Sequence, residues 1–420
     1  MDREFYLPYG DSLLKIRIPE DNIACVLERR QLNGIENEGE AITESLRKPI
    51  GSPPLIDCLN AGDKVVVIVT DNTRACPEDR LLPPILAELE KKISRDNITV
   101  IIALGLHPPL NKEALIKKVG KGVVENYRVI NHDADDTVSI GITPRGTQVD
   151  INRTVVEADF RISTGYIEPH LFAGFSGGRK SIAPGVLGAR SIHKNHGYQM
   201  LDHPLARPGI LKSNPVHEDM VDQAKMANLN FIVNVLLNKK GEITNIVAGD
   251  PYEAHEEGCR IEKENATFKV GSKVDIAITT NNGAPLDLDL YQTCKGIETA
   301  SHIMRDGGII LTASLCNEGV GPEAFYRLHA SAGSTGEVMK LVKHEDLTSV
   351  KWQNQILARI QLKNDIYLVS SLEDSLVRDM KMVPVSTVED GLEKAFLILG
   401  EDARVAVIPE GPIVIPVLEE

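Results

Sequence analysis

Lys64-Val65-Val66-Val67-Ile68-Val69-Thr70-Asp71 is an unbroken, mostly β-branched run that ends in a carboxylate. A strand apolar at successive positions is buried on both faces, as in a parallel sheet covered by helices on each side. The next segment, 81–93, places Leu82, Ile85, Leu86, Leu89 and Ile93 at helical spacing. A second buried run follows, Ile98-Thr99-Val100-Ile101-Ile102-Ala103-Leu104. This β-α-β order predicts parallel strands joined by a right-handed crossover. The fold class expected is α/β, with mainly parallel, doubly wound sheets.

Upstream, Phe5 to Ile18 alternates apolar and polar residues around Tyr9-Gly10-Asp11, reading as two short strands. A helix is expected near 42–46, broken by Ile50-Gly51-Ser52-Pro53-Pro54. Downstream, Phe160-Arg161-Ile162-Ser163-Thr164-Gly165 is another strand, opening into a glycine-rich stretch at 165–197. After about residue 270 the pattern restarts. Lys273-Val274-Asp275-Ile276-Ala277-Ile278-Thr279-Thr280 is a strand, a helix carries Tyr291 to Lys295, and Gly308-Ile309-Ile310-Leu311-Thr312 is the next strand. The division expected is a first domain over 1–268, which the last residues 410–420 can rejoin, and a second over 269–409, with a cleft between.

The chain has 420 residues, enough for a large core without disulfides or structural metal. Its net charge of −14 and its aromatic content of 4% disfavour nucleic acid and anionic membrane surfaces as partners. No secretory signal or membrane-spanning run is visible, and the six cysteines are scattered without a CxxC pair. The expected setting is a reducing cytoplasm.

Chemistry concentrates in the loops that leave these strands, where open α/β sheets bind ligands. Asp71-Asn72-Thr73-Arg74 follows one strand and Gly105-Leu106-His107-Pro108-Pro109 another. The densest stretch is Glu168-Pro169-His170 through Gly174-Phe175-Ser176-Gly177-Gly178-Arg179-Lys180-Ser181, followed by His193 and His196. Its glycines let backbone approach a ligand. The octet at 174–181 falls short of the P-loop pattern, because Arg179 stands where the second glycine belongs and no strand directly precedes it. His193 and His196 share a helical face, yet no H-E-x-x-H accompanies them; either histidine alone reads as a polar surface residue or a satisfied hydrogen-bonder, and the open alternative is a single ligand to a metal held mainly by something else. His107 and His170 each adjoin a proline, and two imidazoles flanking one carbon suit proton traffic on either face. Arg74 has the planar fork that suits a carboxylate or phosphate.

Taken together, these motifs, with Asn195-His196, Tyr291-Gln292-Thr293-Cys294-Lys295 and Trp352-Gln353-Asn354-Gln355, resemble the nickel-pincer-nucleotide lactate racemase family over essentially the whole chain. The resemblance implies a 2-hydroxy-acid racemase or epimerase, with lactate as leading substrate. Its implied cofactor is a pyridinium bis-thiocarboxylate mononucleotide carrying nickel, covalently linked to Lys180, with His196 as the protein's nickel ligand and cofactor-synthesis enzymes as partners. By the same resemblance His107 and His170 are the acid/base pair. Asp71, Asn72, Thr73, Arg74, Ser176, Gly177, Gly178, Gln292 and Lys295 would contact the cofactor. Arg74, Tyr291, Lys295 and Trp352 would contact the substrate. His193 matches no functional position of the family, and Cys76 departs from its pattern as a thiol able to sit near the metal. The residues alone also admit a phosphate-loop hydrolase or transferase using 174–181, or a non-catalytic nickel-cofactor carrier. Oligomeric state is left open.

Overall fold

The structure, a computed structural model, describes residues 1–344 and 351–419. It divides into two compact units. The central unit comprises Gln31–His196 and His203–Glu264; the terminal unit comprises Met1–Arg30, Gly197–Asp202 and Asn265–Glu420.

The central unit is built on a six-stranded sheet in the order Ile243–Gly249, Phe231–Leu237, Phe160–Tyr166, Val65–Thr70, Ile98–Ala103, Arg128–Asn131. All neighbours run parallel except the edge strand Ile243–Gly249. The helix expected at 81–93 is Glu78–Leu89, with Leu81, Leu82, Ile85, Leu86 and Leu89 buried against Val65, Val67, Val69, Val100 and Ile102. The helix at 42–46 extends over Glu38–Arg47, where the Asn37 side chain accepts the Glu40 amide as an N-cap.

The terminal unit carries a second six-stranded sheet, all parallel: Val383–Pro384, Asp365–Val369, Met304–Ala313, Val274–Thr280, Val405–Ile408, Ile23–Val26. Its edge strand comes from the start of the chain. The antiparallel hairpin Asp2–Tyr9/Ser12–Pro19 lays Phe5, Leu7, Ile16 and Ile18 into the same core as Ile276, Leu311 and Val407. The last strand, Ile415–Leu418, pairs with Thr267–Val270 in this unit. The units therefore divide differently from 1–268 and 269–409. The physical reason is long-range pairing: Ile23–Val26 finds its ladder about 380 residues downstream at Val405–Ile408, which no local pattern announces.

Residues 197–202 also belong to the terminal unit. Gln355 Nε2 donates to Tyr198 O at 3.1 Å and Arg359 Nη1 to Leu201 O at 3.2 Å, so the helix Trp352–Gln361 grips this short passage. All six cysteines are free thiols, four of them buried.

Candidate active site

The central sheet reverses its winding between Val65–Thr70 and Phe160–Tyr166. These strands are parallel neighbours, and the chain travels outward from them in opposite directions. Loops leaving such a pair at the carboxyl ends open a crevice. The Asp71 loop leaves one strand and the glycine-rich segment leaves the other.

Asp71 is buried, only 3% exposed. Its Oδ1 accepts from the Thr73 amide at 3.2 Å and hydroxyl at 2.7 Å, while Oδ2 lies 2.5 Å from His107 Nδ1. Burial by itself would push this carboxyl up. The bonds from His107 and Thr73 and the nearby Arg74 guanidinium outweigh it and hold Asp71 down at about 2. An ionised carboxylate only accepts, so His107 Nδ1 is the donor, and the neutral ring keeps its lone pair on Nε2. Arg74 Nη1 turns onto Thr73 O and Oγ1 at 3.1 and 3.0 Å. Lys118 pins the loop by donating to the carbonyls of Arg74 and Cys76, both at 3.0 Å. Asn72 is exposed. Burial, helped by Glu78, drives the Cys76 thiol well above its usual range.

The glycine-rich segment is organised from beneath by Arg179, whose guanidinium is 1% exposed. Nη2 donates to Ala173 O at 2.6 Å, and Nη1 to Phe175 O at 2.8 Å and Gly177 O at 3.3 Å. Nη1 also lies 3.2 Å from His255 Nε2, which in turn is 2.9 Å from Ser176 O. Burial lowers Arg179 to about 10, which still leaves it cationic at neutral pH. The short pair Pro169–His170/Gly174–Phe175 folds 171–173 back over this platform. Gly105 donates its amide to Gly185 O at 2.9 Å, and Gly185 donates to Lys180 O at 3.2 Å, so the His107 and Lys180 loops are bonded to each other. Gly185 is obligatory: a Cβ there would stand 2.3 Å from Ser181 O.

His170 Nδ1 accepts the Ala173 amide at 3.3 Å, which puts the proton of the neutral ring on Nε2. That Nε2 lies 3.3 Å from Lys180 Nζ. Phe172 meets His170 edge-on at 4.7 Å between ring centroids and His196 edge-on at 5.0 Å. His196 is driven well below the usual imidazole range by burial, with Lys180 and His193 adding like charge. It is therefore neutral, the form that donates a lone pair to a metal. The two histidines thus carry opposite tautomers: His107 is set to accept at Nε2 and His170 to donate there.

Ser176, Gly177 and Gly178 hold the loop together. The Ser176 hydroxyl donates to Tyr166 O at 2.6 Å and accepts the Glu168 amide at 2.9 Å. Gly177 and Gly178 have φ of +74° and +53°. The Gly178 amide donates to Asn234 Oδ1 at 2.7 Å, and a Cβ at 178 would lie 2.6 Å from the His255 ring. The amide that a phosphate loop would offer here is already engaged. Sequence reasoning missed Arg179, Asn234 and His255 as supports. Asn234 left a signal, a lone amide inside the apolar run Phe231–Leu237. His255 left none, since it sits in the charged helix Glu253–Ala266. Asn195, just before His196, donates to the buried Asp219 carboxylate at 2.8 Å, and that carboxylate also accepts from Thr143, Thr147 and Gln223.

Among the described residues no group of three His, Cys, Asp or Glu side chains is placed to hold a metal ion. A neutral buried His196, within electrostatic reach of Lys180, fits a metal whose other ligands arrive with an organic group. The donor set fits the implied cofactor.

In the terminal unit, Tyr291, Gln292 and Lys295 lie on the helix Leu290–Ser301, whose N-terminus is capped by Asp289 accepting the Gln292 amide at 2.7 Å. The Tyr291 ring packs edge-on against Phe325 at 5.4 Å. Trp352 begins the helix Trp352–Gln361, and Gln353 donates to Tyr291 O at 2.8 Å, so that helix is brought beside Tyr291.

A doubly wound α/β fold that collects an Asp–His pair, a His–Lys pair and a buried neutral imidazole at its switch point is the architecture of a small-molecule enzyme. Residues 9–209 match the lactate racemase N-terminal domain and residues 270–416 the lactate racemase C-terminal domain. The chain belongs to the lactate racemase family, and it is an isomerase. It is 36% identical to the lactate racemase of Thermoanaerobacterium thermosaccharolyticum, covering 97% of this chain and 98% of that protein. It is likewise 36% identical to the lactate racemase of Lactiplantibacillus plantarum, covering 96% and 97%. The lactate racemase apoprotein structure from T. thermosaccharolyticum superposes with a TM-score of 0.93 over 100% of both chains. A Thermotoga maritima protein shares the fold at 18% identity, with a TM-score of 0.72 over 93% of this chain and 100% of that one.

Proposed function

We propose that this protein interconverts the enantiomers of a 2-hydroxy acid, lactate first among them, using a nickel-pincer nucleotide joined to Lys180 with His196 as nickel ligand. When bound, that group supplies a reversible hydride acceptor beside the substrate carbon. The observation that carries the reading is the complementary pair of tautomers. His107, oriented by ionised Asp71, takes the hydroxyl proton of one enantiomer at Nε2 as the alcohol becomes a carbonyl. His170, with its proton on Nε2, hydrogen-bonds the substrate oxygen on the other face, and the proton held by the His107 imidazolium returns to that oxygen as the carbonyl becomes the opposite alcohol. Removing a hydroxyl proton in this way avoids abstracting a very weakly acidic α-proton. Arg74 and Lys295 bind the carboxylate in this proposal, Tyr291 and Trp352 border the substrate, and Asn72, Thr73 and Gln292 meet the nucleotide. Six free thiols accord with a reducing cytoplasm, and no helix among the described residues is long and apolar enough to cross a membrane.

The test is to produce the chain together with the cofactor-synthesis enzymes and measure both nickel content and chirality. The expected result is a covalent adduct lost in Lys180→Ala and interconversion of D- and L-lactate or another 2-hydroxy acid. Nickel-loaded protein inert across a broad panel of such acids would overturn the proposal.

A further inference from the structure

Phe172 packs against two histidines that have different duties. Its ring centroid lies 4.7 Å from that of His170 and 5.0 Å from that of His196, with interplanar angles of 81° and 79°. Near-perpendicular contact at such separations is a favoured arrangement of rings. Phe172 is only 5% exposed although it stands in a turn. Its backbone is held as firmly as its ring. Buried Asn214 donates to Phe172 O and to Ile210 O, both at 2.9 Å. The Asn214 Oδ1 accepts the amides of Val216 and His217 at 3.1 and 3.3 Å, as the N-cap of the helix Pro215–Met226. All four hydrogen-bonding positions of that side chain are in use, so the turn cannot shift without breaking buried bonds. Every one of these residues lies in the central unit.

Phe172 has no group that could move a proton. Oxidising an alcohol takes a proton from oxygen and a hydride from the adjacent carbon, two atoms a single bond apart. The group on the oxygen and the metal side of the site must therefore be held at a matching separation, since reacting atoms meet productively only within about 3–3.5 Å. We propose that Phe172 is a positioning residue, a rigid spacer that sets the separation of His170, at the substrate oxygen, from His196, at the metal. This role rests on the proposed function for the duties of the two histidines and on ring packing alone for its geometry. A phenyl ring is flat and stiff, whereas a methionine chain of similar bulk is flexible and adapts to its surroundings.

The test begins with the full chain made without cofactor and labelled at its histidine and phenylalanine rings. Nuclear Overhauser contacts are expected from the Phe172 ring to the rings of both His170 and His196. Absence of either overturns the proposal whether or not any variant folds. In Phe172→Met the ring order parameters of His170 and His196 should fall while that of His132 stays. His132 is buried and bonded at both ring nitrogens, to Leu187 O at 3.0 Å and Asn152 Nδ2 at 3.2 Å, so it reports on folding. Unchanged order at either histidine in the folded variant overturns the spacer. Phe172→Leu, read the same way, serves where the methionine chain does not fold. With cofactor loaded, kcat should fall about a hundredfold, the loss that a misplacement of about 1 Å brings, while the Lys180 adduct keeps its mass. The isotope effect with substrate deuterated at the α-carbon should rise as the misplaced hydride step becomes limiting. An unchanged kcat, or a lower one with an unchanged isotope effect, overturns the proposal. Loaded unaltered chain that racemises no 2-hydroxy acid refutes the proposed function instead, and the spectra of the cofactor-free chain still decide the spacing.

Discussion

The Asp71 carboxylate, held at about 2, lies 2.5 Å from Nδ1 of His107 and so decides which ring nitrogen of that histidine can take a proton. Its companion oxygen is occupied by Thr73, so the carboxylate cannot swing away from His107 without breaking two further bonds. The pair is built to keep one tautomer.

Asp71→Asn places an amide where the carboxylate was, and an amide can donate to Nδ1 and reverse the tautomer. We expect kcat to fall by about two to four orders of magnitude, the range that a positioned general base contributes. The Lys180 adduct should still form. Chiral assay and intact mass on the same sample separate the two, and loss of the adduct would show that Asp71 acts on the cofactor instead.

Arg179→Met deletes the donor from the carbonyls of Ala173, Phe175 and Gly177 while keeping similar bulk. Leaving buried carbonyls without their charged donor should cost about 3 kcal/mol or more. Urea unfolding checks this, and a loss below about 1 kcal/mol would mean that solvent or another donor reaches those carbonyls.

Gly178→Ala combines a left-handed backbone with a Cβ driven onto the His255 ring. The conformational part alone is about 1–2 kcal/mol, so the whole loss should exceed about 2 kcal/mol. Pairing it with His255→Ala removes the obstacle, and a double-mutant cycle should recover part of the loss. Strict additivity would refute the contact as the cause.

Buried histidines contribute to the response to acid: His132 and His196 are lowered by burial, and so are three more. Burial lowers His255 to about 3, with the Arg179 guanidinium adding to it; burial lowers His217 to about 2 and His329 to about 4. Each folded value lies below the unfolded one of about 6.5, so the unfolded chain takes up protons first. The stability these neutral rings contribute is complete above about pH 6.5 and is lost as pH falls. By about pH 5 His255 and His329 should each have cost about 2 kcal/mol. Thermal melts at both pH values test this, and His255→Gln should flatten the slope by the share of one proton.

Much of the architecture could be read from residue pattern because strands buried on both faces advertise themselves. Val65–Val69 and Ile98–Ile102 needed no partner to be recognised, and the polar residues just beyond them, Asp71 and His107, proved to be hydrogen-bonded to each other. His170 and Lys180 were also visible, since few loops gather such side chains among glycines. What could not be read was anything held by distant pairing. The hairpin of residues 2–19 looks like a local ornament until Ile276 and Leu311 are packed beneath it. The Ser176 hydroxyl and the Gly178 amide looked available to a ligand, and only the folded chain shows Tyr166, Glu168 and Asn234 already using them. Buried polar partners such as His255 come from elements whose own pattern is that of an ordinary charged helix.

The edge strand Ile23–Val26 has a consequence for biosynthesis. It leaves the ribosome about 380 residues ahead of its ladder partner Val405–Ile408. At roughly 5–20 residues per second, that strand and the apolar face of Phe5, Leu7, Ile16 and Ile18 wait roughly 20–80 s for their core. The central unit, contiguous but for six residues, can close in the meantime. Translation therefore completes this unit in a fixed order, and a ribosome stalled before residue 405 leaves the strand Ile23–Val26 without its ladder and the hairpin's apolar face only partly covered.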